Sequence, residues 1–342
     1  MVAISEKLAT GAWDELSFHF APQVLLWTAL ELGIFRTLEK GAKSLSGIAS
    51  ATGCSRRGTR MVLDCLAALG LLDKQKGLYG VNELSRRHFL PSGDDYIGQL
   101  FLHSDRLMKL WLTLPEAVRT GRPTLSMFTA KESERLNLSI AEALFQVHRA
   151  HAWRLVEVLR RKGFFPAERN APIRVLDVAA GSAVWSLPFA LRSPQVEVTA
   201  IDFDPVLEVA RKYARRFGVE GRYRFVGGDI RKVEFGSDRY DLALLGHICH
   251  SEGADWSQKH IGKCFLALRE GGRLLIMDYI PDEGRESAAM PLLLALNALL
   301  GSEEGDTFAF SQYKQWLLKA GFSAVRTIQA DDRSPVIMGV KR

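Results

Sequence analysis

The chain has 342 residues, of which 47% are hydrophobic and 25% charged, with a mean hydropathy of −0.02. That is the composition of an ordinary globular protein, long enough for two domains, and it excludes fibrous, disordered and membrane-embedded classes; no run of 18 apolar residues occurs. The formal charge of +6 is spread in short groups such as Arg56-Arg57, Arg86-Arg87 and Arg160-Arg161-Lys162, not gathered into a patch, so a nucleic-acid partner is not expected.

The four cysteines (Cys54, Cys65, Cys249, Cys264) have no CxxC or Cys/His ligand spacing, so neither a zinc site nor a disulfide framework is indicated. The N-terminus lacks a basic region followed by an apolar run and a cleavage site, and the expected location is cytoplasmic, with no membrane partner.

In chain order, residues 1–30 read as helix, apolar on most faces through Phe18, Val24, Leu25, Trp27 and Leu30, as suits a helix buried in a domain or dimer interface. A short helix continues through Glu31–Phe35 and ends near Gly41. Ser44 to Gly53 has a serine N-cap and a glycine stop. Ser55–Leu69 is a longer amphipathic helix, and Gly70–Val81 reads as two short strands around Gln75-Lys76-Gly77. Helix–turn–helix followed by a hairpin is a winged-helix pattern. Its second helix carries only Arg56, Arg57 and Arg60 at one end, which favours a scaffold or dimerisation role over DNA binding.

Residues 94–165 form several helices, with apolar faces from Trp111, Leu112, Leu114, Val118, Phe128 and the run 136–159, broken at Gly121-Arg-Pro123. His148 and His151 lie on adjoining faces of the last helix and read as satisfied or exposed histidines rather than ligands. From Ile173 the pattern becomes strand–helix alternation. Strands are predicted at Ile173–Val178, Val196–Asp202, Tyr223–Asp229, Tyr240–His247 and Gly272–Asp278, and helices at Val184–Leu191, Asp204–Phe217, Ser257–Arg269, Ala288–Leu300 and Ser311–Ala320. A closing hairpin, Ala324–Gln329 with Val336–Val340, adds one antiparallel strand. The expected fold is α/β: a Rossmann-like doubly wound sheet with a C-terminal antiparallel hairpin, preceded by a mainly helical winged-helix domain. The domain boundaries expected are 1–95, a helical linker with pocket helices at 96–170, and the sheet domain at 171–342.

Four polar positions fall at the carboxyl ends of predicted strands, where open parallel sheets bind ligands. Asp177 and the small-residue turn Ala179-Ala-Gly-Ser-Ala183 close the first strand, and Asp202 closes the second, about 20 residues on, where a carboxylate can accept hydrogen bonds from ribose hydroxyls. Asp229 closes the third after Gly227-Gly228, and His247 and His250 follow the fourth. The turn lacks the G-x-G-x-x-G of dinucleotide folds and has no Lys or Arg nearby to meet a phosphate. An acidic edge of this kind suits a ligand with a ribose and a positive charge, such as S-adenosylmethionine.

Asp177-Val-Ala-Ala-Gly-Ser-Ala183, Ala200-Ile-Asp202, Gly227-Gly-Asp-Ile230, His247-Ile-Cys-His250 and Gly271-Gly-Arg-Leu-Leu-Ile-Met-Asp278 resemble the successive motifs of class I S-adenosylmethionine-dependent methyltransferases. More narrowly, the chain resembles the two-domain small-molecule O-methyltransferases, over nearly its whole length. The resemblance implies S-adenosyl-L-methionine as cofactor, a homodimer formed through the N-terminal domain, a role in secondary metabolism, and a hydroxyl, phenolic in character, as methyl acceptor. It implies cofactor contacts from Asp177, Gly181, Asp202, Phe203, Asp229, Ile230, Gly246 and His247. It also implies His250 as general base with Asp278 supporting it, where the family often has a glutamate. No metal is implied.

A neutral histidine near its reference pKa of about 6.5 can take a hydroxyl proton near pH 7, and a carboxylate can orient its ring. His247 is the alternative base, facing the cofactor or only packing. Three departures stand out. Ala179 and Ala183 replace family glycines, which allows a slight displacement of the turn. The family's Asp-Trp after the histidine is Ser251-Glu252 here, with Asp255-Trp256 later. A second carboxylate near the last helices has three equal candidates, Glu303, Glu304 and Asp306. The acceptor is expected between the domains, against Phe101, Met108, Trp111, Phe145, Met290, Leu294 and Asn297. Methylation at nitrogen or carbon by the same fold, or a cofactor-binding protein without methyl transfer, such as a winged-helix regulator, are the other readings.

Overall fold

The computed structural model describes residues 11, 13–93, 95–102, 104–124, 130–163, 172–286, 289–332 and 334–342. The helix expected over residues 1–10, Phe128 and Ala288 lie outside these. The chain divides into two compact units, Met1–Lys109 and Leu110–Arg342. No helix among the described residues is long and apolar enough to cross a membrane.

In the first unit the expected cap and stop form at Ser44 and Gly53, and Ser55, read as the first helical residue, is itself a cap. Ser44 Oγ accepts from Gly47 N (3.2 Å) and opens the helix Leu45–Thr52, which ends at left-handed Gly53; Ser55 Oγ accepts from Gly58 N (3.1 Å) and opens Arg56–Ala68. Strands β1 (Lys43–Ser44), β2 (Asp73–Gln75) and β3 (Leu78–Gly80) form a small antiparallel sheet in the order β1-β3-β2. The β2–β3 turn has positive φ at both Lys76 and Gly77, the twist a tight hairpin requires. The N-terminal stretch is two helices, Trp13–Ser17 and Ala21–Glu31, and left-handed Gly33 breaks the chain before the helix Ile34–Thr37. Phe35, Ile48, Leu63, Leu66 and Phe89 form the core of this unit, with the Phe35 and Phe89 rings stacked at 5.1 Å.

The second unit is built on a seven-stranded sheet of β4 (Ile173–Val178), β5 (Val196–Asp202), β6 (Tyr223–Gly227), β7 (Tyr240–Gly246), β8 (Leu268–Met277), β9 (Ser323–Ile328) and β10 (Val336–Val340), in the order β6-β5-β4-β7-β8-β10-β9. β4 to β8 are parallel, and β10 lies antiparallel between β8 and β9. The strands are buried on both faces, so their apolar residues serve two cores: Val175, Val198, Leu244 and Leu275 face one, and Leu176, Val178, Leu245 and Ile276 the other. Leu155 and Leu159 of the long helix Ala130–Arg161 cover the first core, and Tyr313 and Leu317 of Phe310–Lys319 cover the second. β4 has β5 on one side and β7 on the other, so the strand order reverses there and a crevice opens at its carboxyl end.

Two helix starts differ from the sequence reading. Val184–Ser186 continue the turn, and the helix spans only Leu187–Arg192, so no helix N-terminus stands directly over Gly181. The helix after β7 begins at Cys249 rather than Ser257, with a break at Gly253. Seven residues of mixed polarity, His250 to Trp256, hide its first turns from a periodicity argument.

Candidate active site

The turn after β4 is left-handed at three alternate positions: Ala179 (φ 55°), Gly181 (φ 57°) and Ala183 (φ 59°). The alanines keep the backbone that glycine would adopt, at the cost of crowding their Cβ against the following carbonyl. A Cβ built on Gly181 meets no atom within 4 Å, so its hydrogens face open space. Asp202 ties this turn to the next strand end, with Oδ2 accepting from Gly181 N and Oδ1 from Phe203 N, both at 2.8 Å. Burial pushes the Asp202 carboxyl above its usual range, against the pull of these two N–H groups. Beneath the turn, Asp177 is fully buried, and burial pushes its pKa up to about 7 despite hydrogen bonding from Ser186. Its Oδ2 has no hydrogen-bond partner among the described residues. A buried carboxylate oxygen of this kind is costly unless something cationic or hydrogen-donating meets it.

A cavity of about 200 Å³ opens beside the turn, lined by Ala179, Asp202, Phe203, Asp229, Ile230 and Ile248 among others. Of the sequence-predicted contacts, Asp202, Phe203, Asp229 and Ile230 therefore meet at one place. Asp229 Oδ1 accepts from Arg231 N at 2.9 Å, and Arg231 Nε is spent on Glu252 at 2.8 Å, which leaves the cavity acidic. Glu252 also meets His260 Nε2 at 3.0 Å, and Trp256 is flanked by Arg231 and Lys259.

β7 and β8 supply the second half of the site. Gly246 ends β7 under Trp185: a Cβ there would come within 2.4 Å of the indole Cδ1. His247 follows with a left-handed backbone (φ 55°), its N–H donating to Met277 O at 2.7 Å. Asp278, buried at the end of β8, accepts from four donors. His250 Nδ1 (2.7 Å) and Tyr279 N (2.8 Å) meet Oδ1, while His250 N (3.1 Å) and Tyr313 Oη (3.3 Å) meet Oδ2. Burial works to raise the Asp278 carboxyl, but the charge of His250 and these donors outweigh it and hold the carboxyl far below the usual range. An ionised carboxylate only accepts, so Nδ1 of His250 carries a proton and its lone pair is on Nε2. For His250 itself, burial works to lower the pKa, but the charge of Asp278 and its hydrogen bond outweigh it and leave the ring above its ordinary value. For His247, burial wins over Asp278, 3.6 Å away, and the pKa falls.

A larger cavity of about 660 Å³ lies against His247 and Asp278, walled also by His148, His151, Trp185 and Tyr279 among others; His250 is not in its lining. The His148 and His247 rings stack at 4.0 Å, and Tyr279 lies 5.1 Å from His247. His148 and His151, read as ordinary surface or core histidines, are both 4% exposed and belong to this wall. Their i, i+3 spacing is the signal that could have found them, since it brings both to one side of a helix.

Of the expected lining residues, Met290 is on the wall. Phe145 instead stacks on Tyr213 at 3.7 Å in the core, and Trp111 Nε1 donates to Asn297 Oδ1 at 3.2 Å. Phe101 packs on Phe89 within the first unit. Among the three candidate second carboxylates, Asp306 is taken by Arg285 (3.0 Å), and Glu303 and Glu304 are exposed. The backing of the histidine–carboxylate pair comes from Tyr313 instead.

His247, His250 and Asp278 have ligand-capable atoms within 4.8 Å of one another. A cation there would have to displace donors that already fill the four lone-pair sites of Asp278.

The chain matches the O-methyltransferase domain family over residues 111–323 and the O-methyltransferase dimerisation domain family over residues 14–90. It is 27% identical to 3-hydroxy-5-methyl-1-naphthoate 3-O-methyltransferase of Streptomyces sahachiroi, covering 98% of this chain and 94% of that one. It is 28% identical to the tetracenomycin polyketide synthesis 8-O-methyl transferase of Streptomyces glaucescens, covering 96% and 95%. The fold superposes on human N-acetylserotonin methyltransferase in complex with S-adenosylmethionine with a TM-score of 0.83, at 22% identity and 99% coverage of both chains. With the doubly wound sheet, the acidic strand edge and both family matches in place, the chain belongs to the S-adenosylmethionine-dependent O-methyltransferases.

Proposed function

We propose that this protein, as a homodimer, methylates a phenolic hydroxyl of a small aromatic molecule, with His250 as the general base and Asp278 orienting it. The observation that carries the reading is the 2.7 Å contact between His250 Nδ1 and Asp278 Oδ1, which leaves Nε2 of a partly buried imidazole as the proton acceptor. The dimer rests on the dimerisation-domain match over residues 14–90.

The residues at the acidic edge fit S-adenosylmethionine. Asp202 offers a carboxylate for ribose hydroxyls, and Asp229 and Ile230 offer a polar and an apolar contact for an adenine. The unpartnered Oδ2 of Asp177 suits a nearby ammonium group. Gly181, Gly246 and His247 complete the set, and the open space over Gly181 permits close approach. When bound, the cofactor supplies an activated methyl group on a sulfonium. The protein's own tasks are then to align the acceptor hydroxyl and remove its proton. His250 takes that proton at Nε2, and Asp278 stabilises the imidazolium through Nδ1 without becoming protonated.

His247 is the second candidate base, favoured by one observation: it is on the wall of the larger cavity, where its lowered pKa keeps it neutral. Single variants separate the two. We expect His250→Ala to lose about 10²–10⁴-fold in turnover with binding of S-adenosylhomocysteine retained. A turnover loss of that size confined to His247→Ala would transfer the role.

A further inference from the structure

The smaller cavity ends on a carboxylate that the acidic strand edge does not account for. Glu252 lines it together with Asp202, Phe203, Asp229 and Ile230, yet it comes from the first turn of the helix after β7. It stands where the chain departs from the Asp-Trp pattern after His250. Its side chain is 13% exposed and is held from two sides. Arg231 Nε and His260 Nε2 both donate to Oε2, at 2.8 and 3.0 Å, and Arg231 Nη2 donates to Oε1 at 3.3 Å. Burial works to raise the Glu252 carboxyl, but these hydrogen bonds outweigh it and hold it below its ordinary value, so it is ionised at neutral pH. An ionised carboxylate has about four lone-pair sites. Among the described residues two are filled on Oε2 and one on Oε1, so Oε1 can accept once more. His260 is fully buried, and its Nδ1 has no hydrogen-bond partner among the described residues. A buried imidazole with an orphaned nitrogen costs free energy that an apolar side chain would not, so what His260 contributes is its hold on Glu252.

Arg231 also fixes which end of the cavity Glu252 serves. It follows Ile230 directly and stands two residues past Asp229, whose Oδ1 accepts from Arg231 N at 2.9 Å. Glu252 is thereby grouped with Asp229 and Ile230, the pair that suits an adenine, while Asp202 and Phe203 serve the ribose end.

Resting on the S-adenosylmethionine reading of this cavity, we propose that Glu252 is a specificity-determining residue that accepts a hydrogen bond from the exocyclic amine of the cofactor's adenine. That amine has two N–H groups, and the cavity presents two carboxylates, Asp229 and Glu252, one for each. A 6-oxopurine puts an acceptor where the amine donates. Against a fixed carboxylate it loses the hydrogen bond and adds repulsion, a mismatch that a built polar site rejects strongly. Arg231 and His260 are positioning residues that keep the carboxylate from turning away.

The test is calorimetric binding of S-adenosylhomocysteine and its deaminated analogue S-inosylhomocysteine to the full-length protein. The wild type is expected to bind the adenosyl compound at least about 10-fold more tightly, as a hydrogen bond to a charged group gives. Glu252→Gln, whose amide can donate to an oxo group, should weaken S-adenosylhomocysteine by about 5–10-fold without weakening the inosyl compound. Glu252→Ala gives the same comparison if the glutamine variant does not fold. A ratio unchanged in the folded variants, or equal weakening of both ligands, assigns Glu252 a structural role and overturns the proposal, as does a wild type that binds both ligands alike. The wild type supplies a second measurement: N6-methylation of S-adenosylhomocysteine should cost about 10-fold, because neither N–H can be given up freely. A methyl group accepted there without loss overturns the assignment even where no variant folds. Binding of S-adenosylhomocysteine without discrimination leaves the cofactor reading standing and removes only the role of Glu252. No binding of it by the wild type overturns both.

Discussion

The carboxylate of Asp278 holds His250 at two points: Oδ1 takes the ring Nδ1–H at 2.7 Å, and Oδ2 takes the backbone N–H at 3.1 Å. One side chain from the end of β8 thus fixes both the position of His250, at the start of the helix after β7, and the tautomer of its ring. Asp278→Asn keeps the shape but substitutes an amide that can present its N–H₂ to Nδ1 and favour the wrong tautomer. We expect turnover to fall by about 10²–10⁴-fold with little change in KM. A fall confined to KM would show that Asp278 serves binding alone.

The pH dependence follows from the same contact. Only neutral His250 can accept a proton, and its pKa is raised above 6.5 by the charge and hydrogen bond of Asp278 outweighing burial. The acid limb of kcat/KM should therefore have its midpoint above pH 6.5, with activity rising as pH increases. Removing the charge in Asp278→Asn should move the limb to lower pH. A limb that stays in place in this variant would mean that another group titrates.

The left-handed turn gives two different outcomes from one substitution type. Ala179 and Ala183 both have positive φ, which costs an alanine about 1–2 kcal/mol relative to its right-handed conformation. Ala179 is half-buried, so Ala179→Gly should raise stability by on the order of 1 kcal/mol, read from denaturant unfolding. Ala183 is fully buried, and losing its methyl gives back about 0.8 kcal/mol. Ala183→Gly should be close to neutral. Gly181→Val places a branched side chain at φ 57° in the open space and should abolish cofactor binding. Retained affinity in that variant would move the cofactor elsewhere.

Asp177 makes stability depend on pH in an unusual direction. Its folded-state pKa, about 7, exceeds the ordinary value of 3.8, so between these values the folded protein binds the extra proton. Stability from this group therefore falls as pH rises from 4 to 7 and levels off above. Asp177→Asn should flatten that slope and raise the melting temperature of the cofactor-free protein at pH 8. It should also weaken S-adenosylmethionine, which loses a carboxylate. A steeper slope in the variant would contradict the assignment.

Much of this site was legible in the sequence because each strand ends where its apolar run ends. Asp202 and Asp229 could be placed at one sheet edge from alternation and spacing, and they do line one cavity. The pairing of His250 with Asp278 came from motif resemblance, since no local pattern links residues that follow two different strands. The wall of the larger cavity was not legible. It draws on a helix at 147–151, a turn at Trp185, the end of β8 and the β9–β10 hairpin, and no periodicity says which side of a helix meets a hairpin nearly 180 residues later. Trp185 was hidden for a different reason: Val184–Ser186 continue the turn, although their composition reads as helix.

The most direct test of the central claim pairs two measurements on His250→Ala. One is calorimetric binding of S-adenosylhomocysteine, and the other is transfer of a labelled methyl from S-adenosylmethionine to phenolic acceptors. We expect affinity within about twofold of the wild type and a methyl-transfer rate lower by at least about 100-fold. Full transfer activity in the variant, with the cofactor still bound, would contradict the assignment of His250 as the base.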